Sequence, residues 1–311
     1  MEYINLPDYK ALATLKAVVE LGSVNRAAKA LCVGQPAVTK RLRSLDSCYG
    51  VPLMRHQGRR LRLTTAGKRV YNYAQLIMEH QASLLDDLAS LRTGHNRLKL
   101  EVTFAIGEHM LPDILLHFAE VQPELRIESR LGYSRRINTR LATGLADIAL
   151  LEQQPQHANI NSEAWMEDEL LLVCGPSHPL WEQANIPLKQ LNELLFVLRE
   201  SQSSIRHTLD QRLNEIGVKP LQTAMEVGSS DTIIELLQRG RHVSFLPQFA
   251  VQTYLERNSL HHIKIDDLII KRTLWIAYNK DSMHGQVADT FIQTLKQIKL
   301  GDTHQAGQTS P

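Results

Sequence analysis

Three short apolar stripes within residues 12–45 constrain what this chain can fold into more than any other feature. Leu12, Leu15 and Val19 recur at i, i+3 and i+7, and Gly22 stands where a helix would stop. Ser23 can cap a second helix, whose stripe is Val24, Ala27, Ala28 and Leu31. Two alanines on that stripe let a neighbouring helix approach closely. Cys32-Val33-Gly34 makes a turn, and a third helix opens at Gln35-Pro36, where the N–H that proline lacks would be unpaired anyway. Its inner stripe is Val38, Leu42 and Leu45.

The other side of that helix carries Gln35, Thr39, Lys40 and Arg43, with Arg41 beside them. An inner stripe that fixes the helix and an outer face of amide, hydroxyl and cationic groups is the physics of a helix-turn-helix. Gln suits adenine edges and Arg guanine edges, whereas Lys and Thr more often hold phosphate. The helix start at Gln35, Pro36 and Ala37 also directs free backbone N–H groups outward, which favours phosphate. Charge agrees. Residues 10–69 hold 13 Lys/Arg against Glu20 and Asp46, whereas residues 95–311 hold 21 Lys/Arg against 26 Asp/Glu. A basic segment on an otherwise acidic chain implies a polyanion partner for that segment alone.

After Gly50-Val51-Pro52-Leu53, Leu61 and Leu63 alternate with Arg60 and Arg62 beyond a turn at Gly58 and Arg59. This pattern predicts a two-stranded ribbon with outward arginines, a wing suited to a minor groove or to the phosphate backbone.

Together, Gly22 to Leu31, Gln35-Pro36-Ala37-Val38-Thr39, Leu45-Asp46, Gly50 to Leu53 and Leu63-Thr64-Thr65-Ala66-Gly67 resemble the LysR-type transcriptional regulators. Departures are small. Gly34 and Asp46 replace a usual Ser or Thr and a usual Glu, and Met54 replaces a usual Phe. The resemblance implies a sequence-specific, double-stranded-DNA-binding regulator controlled by a small-molecule effector. It further implies binding to interrupted palindromes as a homodimer or homotetramer, with RNA polymerase as a partner where the protein activates. The DNA-facing set is then Asn25, Arg26, Gln35, Pro36, Ala37, Thr39, Lys40, Arg43, Arg59, Arg60 and Arg62.

Thr64 or Thr65 can cap a long helix that Gly94 ends. Val70, Ile77, Leu84 and Leu91 are spaced by seven, with Ala74, Gln81 and Leu88 between, which is a coiled-coil seam with one polar interruption. The expectation is pairing with a second copy, the alternative being packing onto the same chain's C-terminal domain.

From Leu98 strands alternate with helices. Strands are expected at 98–105, 125–131 and 147–151, with helices at 110–121 and 136–143 between them. A second set has strands at 194–198, 222–227 and 242–246, with helices at 204–216 and 232–239; strand 272–278 and helix 286–298 return to the first lobe. The fold class is therefore α/β: an N-terminal winged helix-turn-helix (1–64), a linker helix (65–94), then a two-lobed effector domain resembling periplasmic binding proteins (95–300). Its lobes are set at 95–168 with 268–300, and at 169–267. A polar tail, 301–311, is expected to be disordered.

In such sheets ligands lie beyond the carboxyl ends of strands, facing helix N-termini. That rule and the resemblance select Thr103, Ala105, Gly107, Ser134, Ser203, Ser204, Ser229 and Ser230 as effector-binding residues. Glu108 and His109 near this cleft weaken the case for a purely anionic effector.

Other classes fit poorly. The longest apolar run is Leu170 to Cys174, far short of the ~20 residues a membrane helix needs. The first residues lack a secretory pattern, so the protein is read as cytoplasmic. Cys32, Cys48 and Cys174 form no CxxC pair, and a disulfide switch in the C-terminal region would need a second cysteine there. Ser203, Ser204, His207 and Asp210 lack a nucleophile elbow, and His261-His262 lacks neighbouring metal ligands. No catalytic residue, metal or cofactor is expected.

Overall fold

The structure, a computed structural model, describes residues 6–57, 60–93, 97–280 and 285–298. The chain divides into two compact units at Thr93/Gly94.

In the first unit, α1 (Tyr9–Leu21), α2 (Val24–Ala30) and α3 (Gln35–Tyr49) bury the stripes read from the sequence. Leu12, Leu15, Ala27, Val38 and Leu45 are all at most 2% exposed. The Ser23 hydroxyl accepts from Arg26 N–H and starts α2, and Gly34 starts α3. Strands β1 (Met54–Gln57) and β2 (Arg60–Leu63) pair antiparallel, Arg55 opposite Arg62. Helix α4 (Thr65–Thr93) follows, its first turn capped by the Thr64 hydroxyl, which accepts from Gly67 N–H at 2.9 Å.

The seam of α4 is divided. Val70 and Ala74 are buried with Leu12, Leu15 and Leu45 of the chain's own helical bundle, and Ile77 packs on the same cluster. Leu84, Leu85 and Leu88 are about half exposed. The sequence reading gave one partner to the whole seam, but its first half is part of the bundle's core. The Leu91 side chain, Gly94 and the tail 301–311 lie outside the described residues.

The second unit is built on strands β3 (Arg97–Thr103), β4 (Arg126–Gly132), β5 (Ile148–Leu151), β6 (Ile160–Cys174), β8 (Leu195–Arg199), β9 (Gln222–Val227), β10 (Val243–Pro247) and β13 (Lys271–Asn279). Their order is β4-β3-β5-β13-β6-β10-β8-β9, with β11 (His261–His262) also on β6. Short strands β7 (Asn185–Ile186) and β12 (Lys264–Ile265) pair separately. Pairs β3/β4, β3/β5, β8/β9 and β8/β10 are parallel, while β13 runs antiparallel to both β5 and β6, and β10 runs antiparallel to β6.

Strand β6 joins the lobes, since Ile160 to Glu169 pair with β13 and Leu170 to Cys174 with β10. The sequence reading assigned no strand here, because Glu163, Glu167, Asp168 and Glu169 interrupt its apolar pattern. Helices α5 (Phe104–His109), α6 (Leu111–Val121), α7 (Ser134–Ala142) and α11 (Gly285–Gln297) belong to the first lobe; α8 (Ser204–Glu215), α9 (Ser230–Arg239) and α10 (Gln248–Glu256) belong to the second, with a 3-10 turn at Leu188–Glu193. Phe104 and Ala105, expected in a strand, open α5 instead: β3 ends at Thr103 and the chain turns over the sheet edge.

The first lobe's core stacks Phe118 on Phe291 at 4.2 Å, and the second stacks Phe196 on Phe245 at 5.9 Å. Each such ring contributes about 1.5–3 kcal/mol by leaving water. Among the described residues no helix is long and apolar enough to cross a membrane.

Candidate functional sites

On α3 the stripe positions turn inward, so Gln35, Pro36, Lys40 and Arg43 are exposed, and Ala37 and Thr39 half-buried. Gln35, Pro36, Thr39, Lys40 and Arg43 line one open depression of about 370 Å³. Neither Lys40 nor Arg43 has an ion-pair partner among the described residues. The sole acid of α3, Asp46, is turned away, its carboxylate accepting from Leu53 N–H at 2.8 Å. Arg41 leaves this face too, because it donates to the Thr14 hydroxyl at 3.3 Å and ties α3 to α1. Asn25 and Arg26 are exposed on α2, and Arg62 is exposed on β2. Arg59 and the Arg60 side chain lie outside the described residues.

The second candidate site lies between the lobes. Thr103, Phe104, Ala105, Gly132, Tyr133, Ser134 and Glu152 of the first lobe line it together with Arg199, Ser203 and Ser204 of the second. The space between them is about 10 Å³, room for a single water at most. Thr103 is 2% exposed, and its hydroxyl, like that of Ser134, has no hydrogen-bond partner among the described residues.

The remaining sequence-selected residues act differently. Ser229 caps α9, accepting from Thr232 N–H. Ser230 is fully buried and accepts from Arg199 Nη1 at 3.1 Å. Gly107 does not line the cleft. A Cβ there would sit 2.6 Å from Leu131 Cγ, so the glycine serves close packing of α5 on β4.

Two guanidinium groups that sequence reasoning missed organise the site. Arg199, at the end of β8, bonds Glu200 through Nε and Nη2, Ser230 through Nη1 and the Gly228 carbonyl through Nη2, all within 3.1 Å. Burial pushes the Glu200 carboxyl up, but the Arg199 bonds outweigh it and hold Glu200 below the usual carboxylate range. Arg272, on β13, is buried; it donates to Asp168 and to Glu152, each at 2.7 Å. Burial raises the Asp168 carboxyl despite Arg272 beside it. Glu152 directly follows β5, at the strand end where ligands gather, and that position was a signal available in the sequence.

The lobes also meet through carboxylates. Ser204 donates its hydroxyl to Glu152, and Ser230 N–H donates to Glu108 Oε2 at 3.3 Å. Burial, with Glu200 beside it, raises the Tyr133 phenol above its ordinary value. His109 Nε2 lies 3.7 Å from Asp231, and burial holds that imidazole below its ordinary value. Ser203, Ser204, His207 and Asp210 form no catalytic relay, for Ser204 is engaged with Glu152 and Asp210 with Arg206 at 2.8 Å. Among the described residues no three His, Cys, Asp or Glu could hold a metal ion together.

Comparison with known proteins agrees with both units. Residues 9–68 match the bacterial regulatory helix-turn-helix of the lysR family, and residues 92–299 match the LysR substrate binding domain. The chain is 32% identical over 292 residues to a probable RuBisCO transcriptional regulator of Trichormus variabilis, covering 91% of this chain and 86% of that one. Full-length CbnR complexed with its target DNA has a similar fold, with a TM-score of 0.70 at 19% identity over 93% of this chain and 99% of that one. The regulatory domain of Synechocystis PCC6803 CcmR gives 0.59 at 23% identity over 65% of this chain and 96% of that one. This chain belongs to the LysR family, a DNA-binding transcriptional regulator with a helix-turn-helix followed by an effector-binding domain.

Proposed function

We propose that residues 1–64 read duplex DNA sequence-specifically, with Gln35, Thr39, Lys40 and Arg43 entering a major groove. Asn25, Arg26, the Gln35 to Ala37 helix start and wing arginines Arg59, Arg60 and Arg62 hold the flanking backbone. The observation that carries this reading is the exposed outer face of α3, whose cations no carboxylate among the described residues neutralises. Residues 65–94 pair two copies through the exposed half of the α4 seam, so that paired modules reach successive grooves of an interrupted palindrome as a dimer or tetramer. RNA polymerase is the further partner where the protein activates, and the cytoplasm is its site of action.

Residues 95–300 take up a small polar molecule between the lobes, at Thr103, Ser134, Ser203 and Ser204. The solved CcmR regulatory domain is in complex with 2-PG, which supports a small-molecule effector for a domain of this fold. An effector shifts DNA binding only through its differential affinity for the open and closed lobes. The role is regulatory, with no catalysis and no cofactor.

The test compares Arg43→Ala with Arg62→Ala on a set of duplexes. Arg43→Ala changes which bases are preferred, at a cost of about 1–3 kcal/mol on the preferred site. Arg62→Ala weakens all sequences alike and lowers the salt slope by about one. Equal losses on every sequence for both variants would overturn these roles.

A further inference from the structure

Two first-lobe carboxylates stand where an anionic ligand would stand. Glu108 accepts the backbone N–H of Ser230 at the start of α9, and Glu152 accepts the Ser204 hydroxyl at the start of α8. A helix start attracts negative charge because its first N–H groups are unpaired and the helix dipole is positive there. Both seats are thus filled from within the chain. The cations nearby are also committed: Arg199 to Glu200, and Arg272 to Glu152 and Asp168. Around the cleft, Glu108, Glu152, Asp168 and Glu200 face the two guanidiniums Arg199 and Arg272. An anion entering here meets excess negative charge, four carboxylates against two guanidiniums that are already ion-paired. Among the residues that line the cleft itself, the buried hydroxyls of Thr103 and Ser134 are left without a hydrogen bond; Arg272 Nη2 and His109 Nε2 also lack one among the described residues, but neither residue is in that lining.

We propose that Glu108 and Glu152 are built-in anions that latch the second lobe onto the first and reserve the cleft for a polar effector without net negative charge, bonded by Thr103 and Ser134. This rests on the reading that the cleft is the effector site. It deepens that reading by fixing the charge class of the effector and by naming Glu108 as the residue that sets it. Glu108 is the more accessible lever, because its side chain is 17% exposed against 2% for Glu152, which Arg272 holds.

The test titrates inorganic phosphate, at constant ionic strength, into the full-length wild type, Glu108→Gln and Glu108→Gln/Thr103→Val, reading tryptophan fluorescence. Trp165, Trp181 and Trp275 all lie in the effector unit, so the signal reports on that unit. Gln keeps the shape of Glu and an oxygen for Ser230 N–H while removing the charge. The expected result is little saturable response in the wild type, binding about tenfold tighter or more in Glu108→Gln, and loss of that gain with Thr103→Val. Wild-type phosphate binding as tight as that of Glu108→Gln overturns the proposal and leaves the cleft as an effector site. No gain in Glu108→Gln also overturns it, because the carboxylate then holds no anion seat. A gain that survives Thr103→Val lies outside the cleft and overturns both the proposal and the site reading.

Discussion

Replacing Arg272 with Leu removes the shared partner of two buried carboxylates. The Arg272, Glu152 and Asp168 side chains are each at most 3% exposed, and both ion pairs span 2.7 Å. Breaking a buried pair by deleting one partner costs about 3–5 kcal/mol, because the charge left behind is desolvated and uncompensated. Two carboxylates are stranded here, so the upper part of that range is expected. Urea unfolding followed by tryptophan fluorescence reads this unit. The loss is also pH-dependent. Burial already holds Asp168 above its ordinary value, and Arg272 supplies the main opposing pull. Without Arg272 the folded-state value rises further above the unfolded one. Stability is then recovered as pH falls into the window just above the ordinary carboxylate value, and lost as pH rises through it. Arg272→Leu combined with Glu152→Gln and Asp168→Asn should regain most of the loss at neutral pH. A single-variant loss below about 1 kcal/mol, or no recovery in the triple variant, would refute the reasoning.

Three further outcomes are expected. Leu84→Asp/Leu88→Asp places charge on the exposed half of the α4 seam and should lower the sedimentation mass to that of a monomer; an unchanged mass contradicts pairing through α4. Gly67→Ala puts a Cβ 1.8 Å from the Leu53 carbonyl oxygen, so the start of α4 must shift, destabilising the first unit by about 1–3 kcal/mol in thermal circular dichroism. A melting profile identical to wild type would contradict that contact. Burial pushes the Cys174 thiol up to about 11, so a thiol reagent in mildly alkaline buffer should label exposed Cys32 in the folded protein and reach Cys174 only after unfolding. Equal labelling rates would contradict it.

The first unit was legible because its punctuation is local. Gly22, Ser23, Gly34 and Pro36 each act within one helical turn of their own position, and the stripes between them have one period. The heptad of α4 was legible as a pattern but not as a destination: nothing local says that Val70 and Ala74 face α1 while Leu84 and Leu88 do not. In the second unit the parallel strands were readable from apolar runs, whereas β6 was hidden by its acids, of which Asp168 pairs with Arg272 of β13 and Glu163 with Lys296 of α11. The cleft shows the same limit. Thr103, Ser203 and Ser204 follow from the rule that ligands gather at strand ends. Arg272 matters through Asp168 and Glu152, 104 and 120 residues away, and Arg199 through Gly228 and Ser230, 29 and 31 residues away, and such partners leave no trace in a local window. Gly107 was selected by position alone, and the fold uses it for packing against Leu131.

The central claim is that the outer face of α3 enters duplex DNA, and an anisotropy titration tests it most directly. The full-length wild type and a Thr39→Ala/Arg43→Ala variant would be titrated at low salt against a duplex and its single strand, with matched melting temperatures confirming that the variant is folded. The expected result is a wild-type preference for the duplex that the variant loses. Wild-type duplex affinity in the variant, or no duplex preference in either protein, would contradict the account.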